Sequence, residues 1–352
     1  MRQTPRAARH DAGFSLVEML IGLMIGMIAV IVMMQVFSVS EGYKRTTTGG
    51  DDAQNNGAIA LYALQRDLRQ SGLGISAIQV IGCNVTLRAG VTLNAMSPVT
   101  INHASIPAAD AGDTLLVVYG NAPGSNEGES VQAKPSLPSY TIDAAASSAS
   151  SPGAFAVGDR VIGQFQPRPT PCDLSMEPVT AIGGTSVSVA SGVANTGGIL
   201  YNLGQAPKIL VYAVRGGNLT VCDYTANDCS VAGSVARSAI WVPIASNIVS
   251  LRAQYGRDTA APMKATVDTY DQTAPTTACD WARVLAVRFV LVARSAELDK
   301  NTVTNAAPTW SGAVSQPIDL SGDANWQRFR YKTFQTVVPL RNMAWQGAQT
   351  GC

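Results

Sequence analysis

Histidine is scarce in this chain: its 352 residues contain two, His10 and His103. That leaves little room for a Ser-His-Asp triad or a histidine-ligated zinc site. Charge is sparse as well, 14% of residues, and balanced at 25 Lys+Arg against 24 Asp+Glu. A near-neutral chain carries no electrostatic footprint for nucleic acid, and no nucleic-acid partner is expected. There is no C-x-x-C pair among the six cysteines, Cys83, Cys172, Cys222, Cys229, Cys279 and Cys352. Their even number and wide spacing exclude the usual redox and zinc motifs and favour disulfides in an oxidising compartment. G-x-x-x-x-G-K-[ST], H-E-x-x-H and G-x-S-x-G are all missing, so the sequence assigns no catalytic residue and the chain reads as a non-enzyme. Gly72-Leu-Gly-Ile-Ser-Ala77 has G-x-G-x-x-A spacing, but it closes a helical pattern instead of joining a strand to a helix, which makes it a helix stop. Glycine and proline are at ordinary levels, which rules out collagen-like and wholly disordered classes.

What is present is concentrated at the N-terminus. Arg2, Arg6 and Arg9 precede Gly13-Phe14-Ser15-Leu16-Val17-Glu18, and Met19 to Ser40 then carry no charge. As a helix, Met19 to Phe37 spans about 28 Å, close to the hydrocarbon thickness of a bilayer. The basic residues ahead of the span place Met1 on the cytoplasmic side and everything after about Ser40 outside. No small-residue cleavage site follows the apolar run, which argues against an ordinary secretory signal. An uncut signal anchor, with Glu18 reaching the interface, is the plain alternative. Gly22 and Gly26 form G-x-x-x-G, a spacing that lets helices approach closely.

The string Gly13 to Glu18, with its basic leader and its lone carboxylate inside the apolar run, resembles the class III leader of type IV pilins and of the pseudopilins of type II secretion. The resemblance implies that prepilin peptidase cuts between Gly13 and Phe14, that the new Phe14 amine is methylated, and that Glu18 pairs with such an amine on a neighbouring subunit during assembly. Leu64-Gln-Arg-Asp-Leu-Arg-Gln-Ser-Gly72, Gln254-Tyr-Gly-Arg-Asp258, the Arg283 to Arg294 segment and Thr336-Val-Val-Pro-Leu-Arg-Asn342 resemble the PilW family of minor pilins. The J-type minor pseudopilin of type II secretion is similar in plan, although a head of this length favours PilW. A membrane-anchored periplasmic binding module that never polymerises is the alternative from another class. The fold implied is α+β and type IV pilin-like, a long N-terminal helix packed on a mostly antiparallel sheet. The implied role is priming or capping the filament tip. Expected partners are prepilin peptidase, other minor pilins, the major pilin, a large tip adhesin and the inner-membrane assembly platform. The expected location is the inner membrane with the head in the periplasm, and then the pilus, at its tip.

The domain expectation is a leader at 1–13, a transmembrane assembly helix at 14–40, a linker and amphipathic helix at 41–72, and a β-rich head at 73–352 that divides into two lobes near 143–153. Gly49-Gly50 is expected to weaken the helix. Ala58, Leu61, Leu64 and Leu68 form its apolar stripe, with Arg66, Asp67 and Arg69 on the other side. Strands are read from Thr114 onward: Thr114–Tyr119, Arg160–Phe165, a hairpin of Lys208–Val214 with Leu219–Tyr224 across Arg-Gly-Gly-Asn, then Val249–Tyr255, Arg283–Val292 and Arg328–Leu340. Asn121–Ser139 is read as loop.

Cys222 and Cys229 flank six residues after a strand and are the first expected disulfide pair. Cys279 with Cys352 is the preferred second, and Cys83 and Cys172 are the remaining candidates. Asp319, Ser321, Asp323 and Asn325 are spaced by two, as calcium-loop ligands are, but the bidentate Glu of an EF-hand is missing. A polar turn has the same composition, so no resident cofactor is expected and calcium stands as the alternative. His103 has no carboxylate within six residues and is expected on a surface loop. Arg328, Arg330 and Lys332 alternate with Phe329 and Tyr331, which predicts three cations on one solvated strand face.

Overall fold

The computed structural model describes residues 15–122, 127–132, 138–143, 145, 155–191 and 197–352, without the side chains of 45–48. The chain forms two compact units, residues 1–49 and 50–352. Helix α1 (Leu16–Gln70) runs through the boundary without interruption. Gly49-Gly50, expected to weaken the helix, lie within it. Two glycines cost about 1 kcal/mol each, which a long cooperative helix can absorb.

In the second unit the strands are β1 (Cys83–Arg88), β2 (Val91–Met96), β3 (Val99–Ile101), β4 (Leu115–Tyr119), β5 (Glu129–Val131) and β6 (Ser139–Thr141). They continue with β7 (Arg160–Phe165), β8 (Asp173–Gly183), β9 (Ser186–Val189), β10 (Gly198–Gly204), β11 (Lys208–Arg215) and β12 (Asn218–Asp223). The last are β13 (Val242–Ser246), β14 (Ile248–Arg257), β15 (Thr269–Asp271), β16 (Val284–Arg294) and β17 (Tyr331–Pro339). Short helices α2 (Ala278–Ala282) and α3 (Arg341–Ala344) flank β16 and β17. An eight-stranded sheet contains the path β2-β1-β8-β7-β10-β5, with β9 and β6 branching from β8. A five-stranded sheet has the order β13-β12-β11-β4-β3, and a four-stranded sheet the order β15-β14-β16-β17. Among the described strands pairing is antiparallel except between β1 and β8, and one isolated parallel bridge joins Gly112 to Leu251.

Three strands, β1 to β3, lie before Thr114, and β5 falls within the stretch read as loop. β1, Cys83–Arg88, alternates apolar and polar residues, a strand signal legible in the sequence; β3 and β5, of three residues each, are too short for periodicity to reveal them. β17 begins three residues later than expected because Trp326–Arg328 form a 3-10 turn. Residues 144 and 146–154, most of the expected lobe divider, lie outside the described residues.

The Arg-Gly-Gly-Asn hairpin forms as expected. Arg215 pairs with Asn218, and Gly216 and Gly217 have φ of 56° and 71°, the left-handed pair that a two-residue type I′ turn requires. β4 is buried along its whole length because it packs on both faces. Leu115, Val117 and Tyr119 join one core with α1; Leu116 and Val118 join another with β1, β8 and β10.

The buried stripe of α1 in this unit is Ala53, Ala60, Leu64 and Leu68, with Gly57 between them. Ala58 is exposed, contrary to the expected stripe, because the helix presents the 53/57/60/64/68 face to the sheets. A Cβ on Gly57 would stand 2.0 Å from Phe334 Cε2, so glycine there lets helix and β17 touch. Gly57→Leu is therefore expected to lower stability by about 1–3 kcal/mol through overpacking, read as the urea midpoint of the detergent-solubilised chain. An unchanged midpoint would show that Phe334 moves aside without cost.

Three disulfides close this unit. Cys222–Cys229 spans a Cα separation of 6.0 Å, Cys279–Cys352 of 5.2 Å and Cys83–Cys172 of 4.9 Å. The second fastens the segment after α3 to α2, and the third joins β1 to the start of β8. Each such link contributes about 2–4 kcal/mol by restricting the unfolded chain.

Candidate functional site

Two parts of α1 carry the chemistry. In the first unit, residues 16–44 are exposed throughout, including Leu20, Leu23, Met27, Ile31 and Phe37. This is one helix long and apolar enough to cross a membrane by length and composition. Glu18 lies in its first turn, where the positive end of the helix dipole favours a carboxylate. A Cβ added at Gly22 or Gly26 would meet nothing within 4 Å in the isolated chain, so the G-x-x-x-G face is open. Gly13 and Phe14 lie outside the described residues.

In the second unit, helix residues 50–70 are latched to the sheets by a buried carboxylate. Asp67 is fully buried. Its Oδ1 accepts from Tyr119 Oη at 3.1 Å and from Arg66 Nε at 2.8 Å, and its Oδ2 accepts from Tyr212 Oη. Tyr119 ends β4 and Tyr212 lies in β11, so one helical side chain ties two neighbouring strands. Burial, reinforced by Asp67, pushes both phenols well above their ordinary range, which keeps them protonated as donors. The hydrogen bond to Asp67 raises Arg66, but Arg66 is half exposed and water screens its contribution. Asp67 sits in the last turn, where the helix dipole disfavours a carboxylate. Two buried hydroxyl donors must offset both that and desolvation. Periodicity places Asp67 on the solvent side; the structure turns it inward, because Tyr119 and Tyr212 supply what a buried carboxylate needs. Two phenols that far apart in sequence give no local signal.

Further polar contacts flank the buried stripe on its other side: Gln65 Nε2 to Thr336 Oγ1 at 3.0 Å, and Lys332 Nζ to Gln54 Oε1 at 2.9 Å. At the helix end, Asn342 Nδ2 donates to the carbonyls of Gln70 and Ser71, filling acceptors that a helix terminus leaves open. Gly72 and Gly74 follow with φ of 83° and 78°, which makes this string the helix stop expected of it.

The other candidates resolve differently. His103 is buried, not on the surface: Nε2 contacts the Asn94 carbonyl at 2.7 Å and Nδ1 accepts from Ser105 N. It is a structural histidine satisfied by backbone. The expected row of cations on β17 is also absent. Arg328 is in the 3-10 turn with Nε donating to the Asp299 carbonyl, Arg330 precedes the strand and pairs with Asp299 at 3.0 Å, and Lys332 faces the helix. Asp319 and Asp323 each accept a backbone N–H two residues on, and Asp323 pairs with Arg294 at 2.7 Å. Among the described residues no group of three His, Cys, Asp or Glu could hold a metal ion.

Comparison with known proteins adds two regions. Residues 225–342 match the family model described as Type IV Pilus-assembly protein W, a stretch that runs from the end of β12 into α3. Residues 8–34 match the prokaryotic N-terminal methylation motif. No curated protein sequence matches the chain. A type IV-like pilin from Thermus thermophilus is 9% identical with a TM-score of 0.32, covering 82% of this chain and 96% of that one.

Proposed function

We propose that this chain, which carries a PilW region at 225–342 and an N-terminal methylation motif at 8–34, is a minor pilin that enters a type IV pilus through α1 and primes or caps its tip. The observation that carries the reading is the coexistence of both regions in one chain, with the methylation motif leading into an exposed apolar helix. A helix of this kind is stable only in lipid or against other helices. Prepilin peptidase would cut at Gly13, methylate Phe14 and leave α1 in the inner membrane with the head in the periplasm. Extraction into a bundle of subunits would then exchange lipid for the helices of other minor pilins and the major pilin, with the assembly platform driving the step. Three disulfides accord with a periplasmic head. A subunit that acts by assembling needs no catalytic residue, and none is assigned. A large adhesin is the expected tip partner, since a bulky head is better accommodated at an end than in a closely packed shaft. The PilW region favours this reading over a type II pseudopilin.

The test is the mature N-terminus. Mass spectrometry of membrane-extracted protein is expected to find Phe14 first, its amine methylated. A chain that begins at Met1, or after residue 37, would remove the basis for assembly.

A further inference from the structure

A cavity of about 460 Å³ opens where the β11–β12 hairpin, the segment before β4, β14, the end of β16 and the loop 319–323 meet. Its volume lies in the usual range for small-molecule sites. Two mostly buried guanidiniums line it: the side chains of Arg252 and Arg294 are 21% and 24% exposed. The Arg294 guanidinium lies over the Phe329 ring, 4.1 Å from its centre, and its Nη1 donates to Asp323 at 2.7 Å. A Cβ on Gly217 would stand 3.9 Å from Arg294 Nη2, so that donor faces the hairpin wall of the cavity. Arg252 Nη1 reaches Asp113 Oδ1 only at 3.5 Å. Among the described residues neither Nη2 has a hydrogen-bond partner. A guanidinium carries more donors than these contacts use, so both keep capacity for a ligand.

Carboxylates form the rim. Asp110 and Asp319 are exposed, and the Asp323 side chain is 40% exposed. Asp110 Oδ2 accepts from Gly216 N at 2.7 Å, and Asp319 Oδ1 from Ser321 N at 2.9 Å, which fixes both in place. Hydrogen bonds from Ser321, with Arg252 nearby, hold the Asp319 carboxyl below its ordinary range, so it is charged at neutral pH. Val214, Val249 and Leu320 supply apolar wall.

This layering disfavours simple ions. An anion drawn to the arginines lies close to the rim carboxylates, and a cation at the rim faces the arginines. A molecule that carries both charges, carboxylate innermost and ammonium outermost, matches each layer. Carboxylate is also the planar group that a guanidinium can hold by two parallel bonds.

We propose that this cavity binds a zwitterionic α-amino acid or short peptide with an aliphatic side chain. Its carboxylate meets Arg252 and Arg294, its ammonium meets Asp110 and Asp319, and its side chain packs on Val214, Val249 and Leu320. The proposal stands apart from the assembly function and holds or fails without it.

Isothermal titration calorimetry of the detergent-solubilised full chain tests it, with leucine and leucyl-leucine as probes. Isocaproate lacks the ammonium, and isoamylamine lacks the carboxylate. Saturable binding of leucine or of the dipeptide is expected, with each truncated probe at least about tenfold weaker. Binding of leucine identifies a free amino acid as the ligand; binding of the dipeptide alone identifies a peptide. Asp319→Asn should weaken the zwitterion about tenfold yet strengthen isocaproate, because it removes a repelling charge. Arg294→Gln should weaken both, and it breaks only a partly exposed ion pair, which contributes little to stability. A damaged fold does not produce opposite changes for two probes. No saturable heat from either zwitterion up to about 10 mM overturns the proposal. So does a truncated probe that binds as tightly as the zwitterion, or zwitterion binding that neither variant weakens.

Discussion

Asp67→Ala is expected to destabilise the head by about 2–4 kcal/mol, because the buried hydroxyls of Tyr119 and Tyr212 would each lose an acceptor and an unpaired buried donor costs about 1–3 kcal/mol. The latch is concentrated: one carboxylate serves both phenols and Arg66. Asp67→Asn keeps a carbonyl oxygen in place and should lose less. Urea unfolding of the detergent-solubilised chain measures both. A double-mutant cycle with Tyr212→Phe should show non-additive losses, since the two groups share one bond. A loss within about 0.5 kcal/mol for Asp67→Ala, as at an ordinary surface site, would mean that the apolar stripe alone holds the helix to the sheets.

Glu18→Ala is expected to leave membrane insertion and leader cleavage largely intact and to reduce incorporation into filaments about tenfold or more. The effect depends on a pair and not on the carboxylate alone. A carboxylate within an apolar run costs several kcal/mol unless it finds a cation, and the amine freed at Phe14 of a neighbour is the proposed cation. A pairing advantage of only about 1.4 kcal/mol corresponds to a factor of ten. Sheared filaments, probed for this subunit and normalised to the membrane pool, provide the readout. Normal amounts in the mutant filaments would end the pairing hypothesis and leave the apolar face of α1 as the whole driving force.

Much of the fold is legible where a local rule decides it. The hairpin at Gly216-Gly217 follows from turn chemistry, and the helix stop at Gly72 follows from glycine's access to positive φ. β4, β7, β11, β14 and β16 were readable as apolar runs, because strands with long buried stretches need little polar alternation. β1 alternates apolar and polar residues and is legible by the same kind of local rule, whereas β3, three residues long, resembles loop until its partner is known. The cation row at Arg328, Arg330 and Lys332 failed for a related reason. Alternation implies a common face only if all three lie in one strand, and the 3-10 turn at Trp326–Arg328 removes the first of them.

The amino-acid sequence by itself determined the apolar span, the carboxylate at Glu18, the leader motif and an oxidised set of cysteines, because each depends on residue type over a short stretch. Only the tertiary structure decided which face of α1 is buried, that Asp67 belongs to it, that His103 is internal, and that Arg252 and Arg294 meet Asp319 at one cavity. Those outcomes depend on partners far along the chain: Tyr212 lies 145 positions from Asp67, and Thr336 lies 271 from Gln65. The cost of burying a polar group depends on the donors that meet it, and distant donors are placed by the fold.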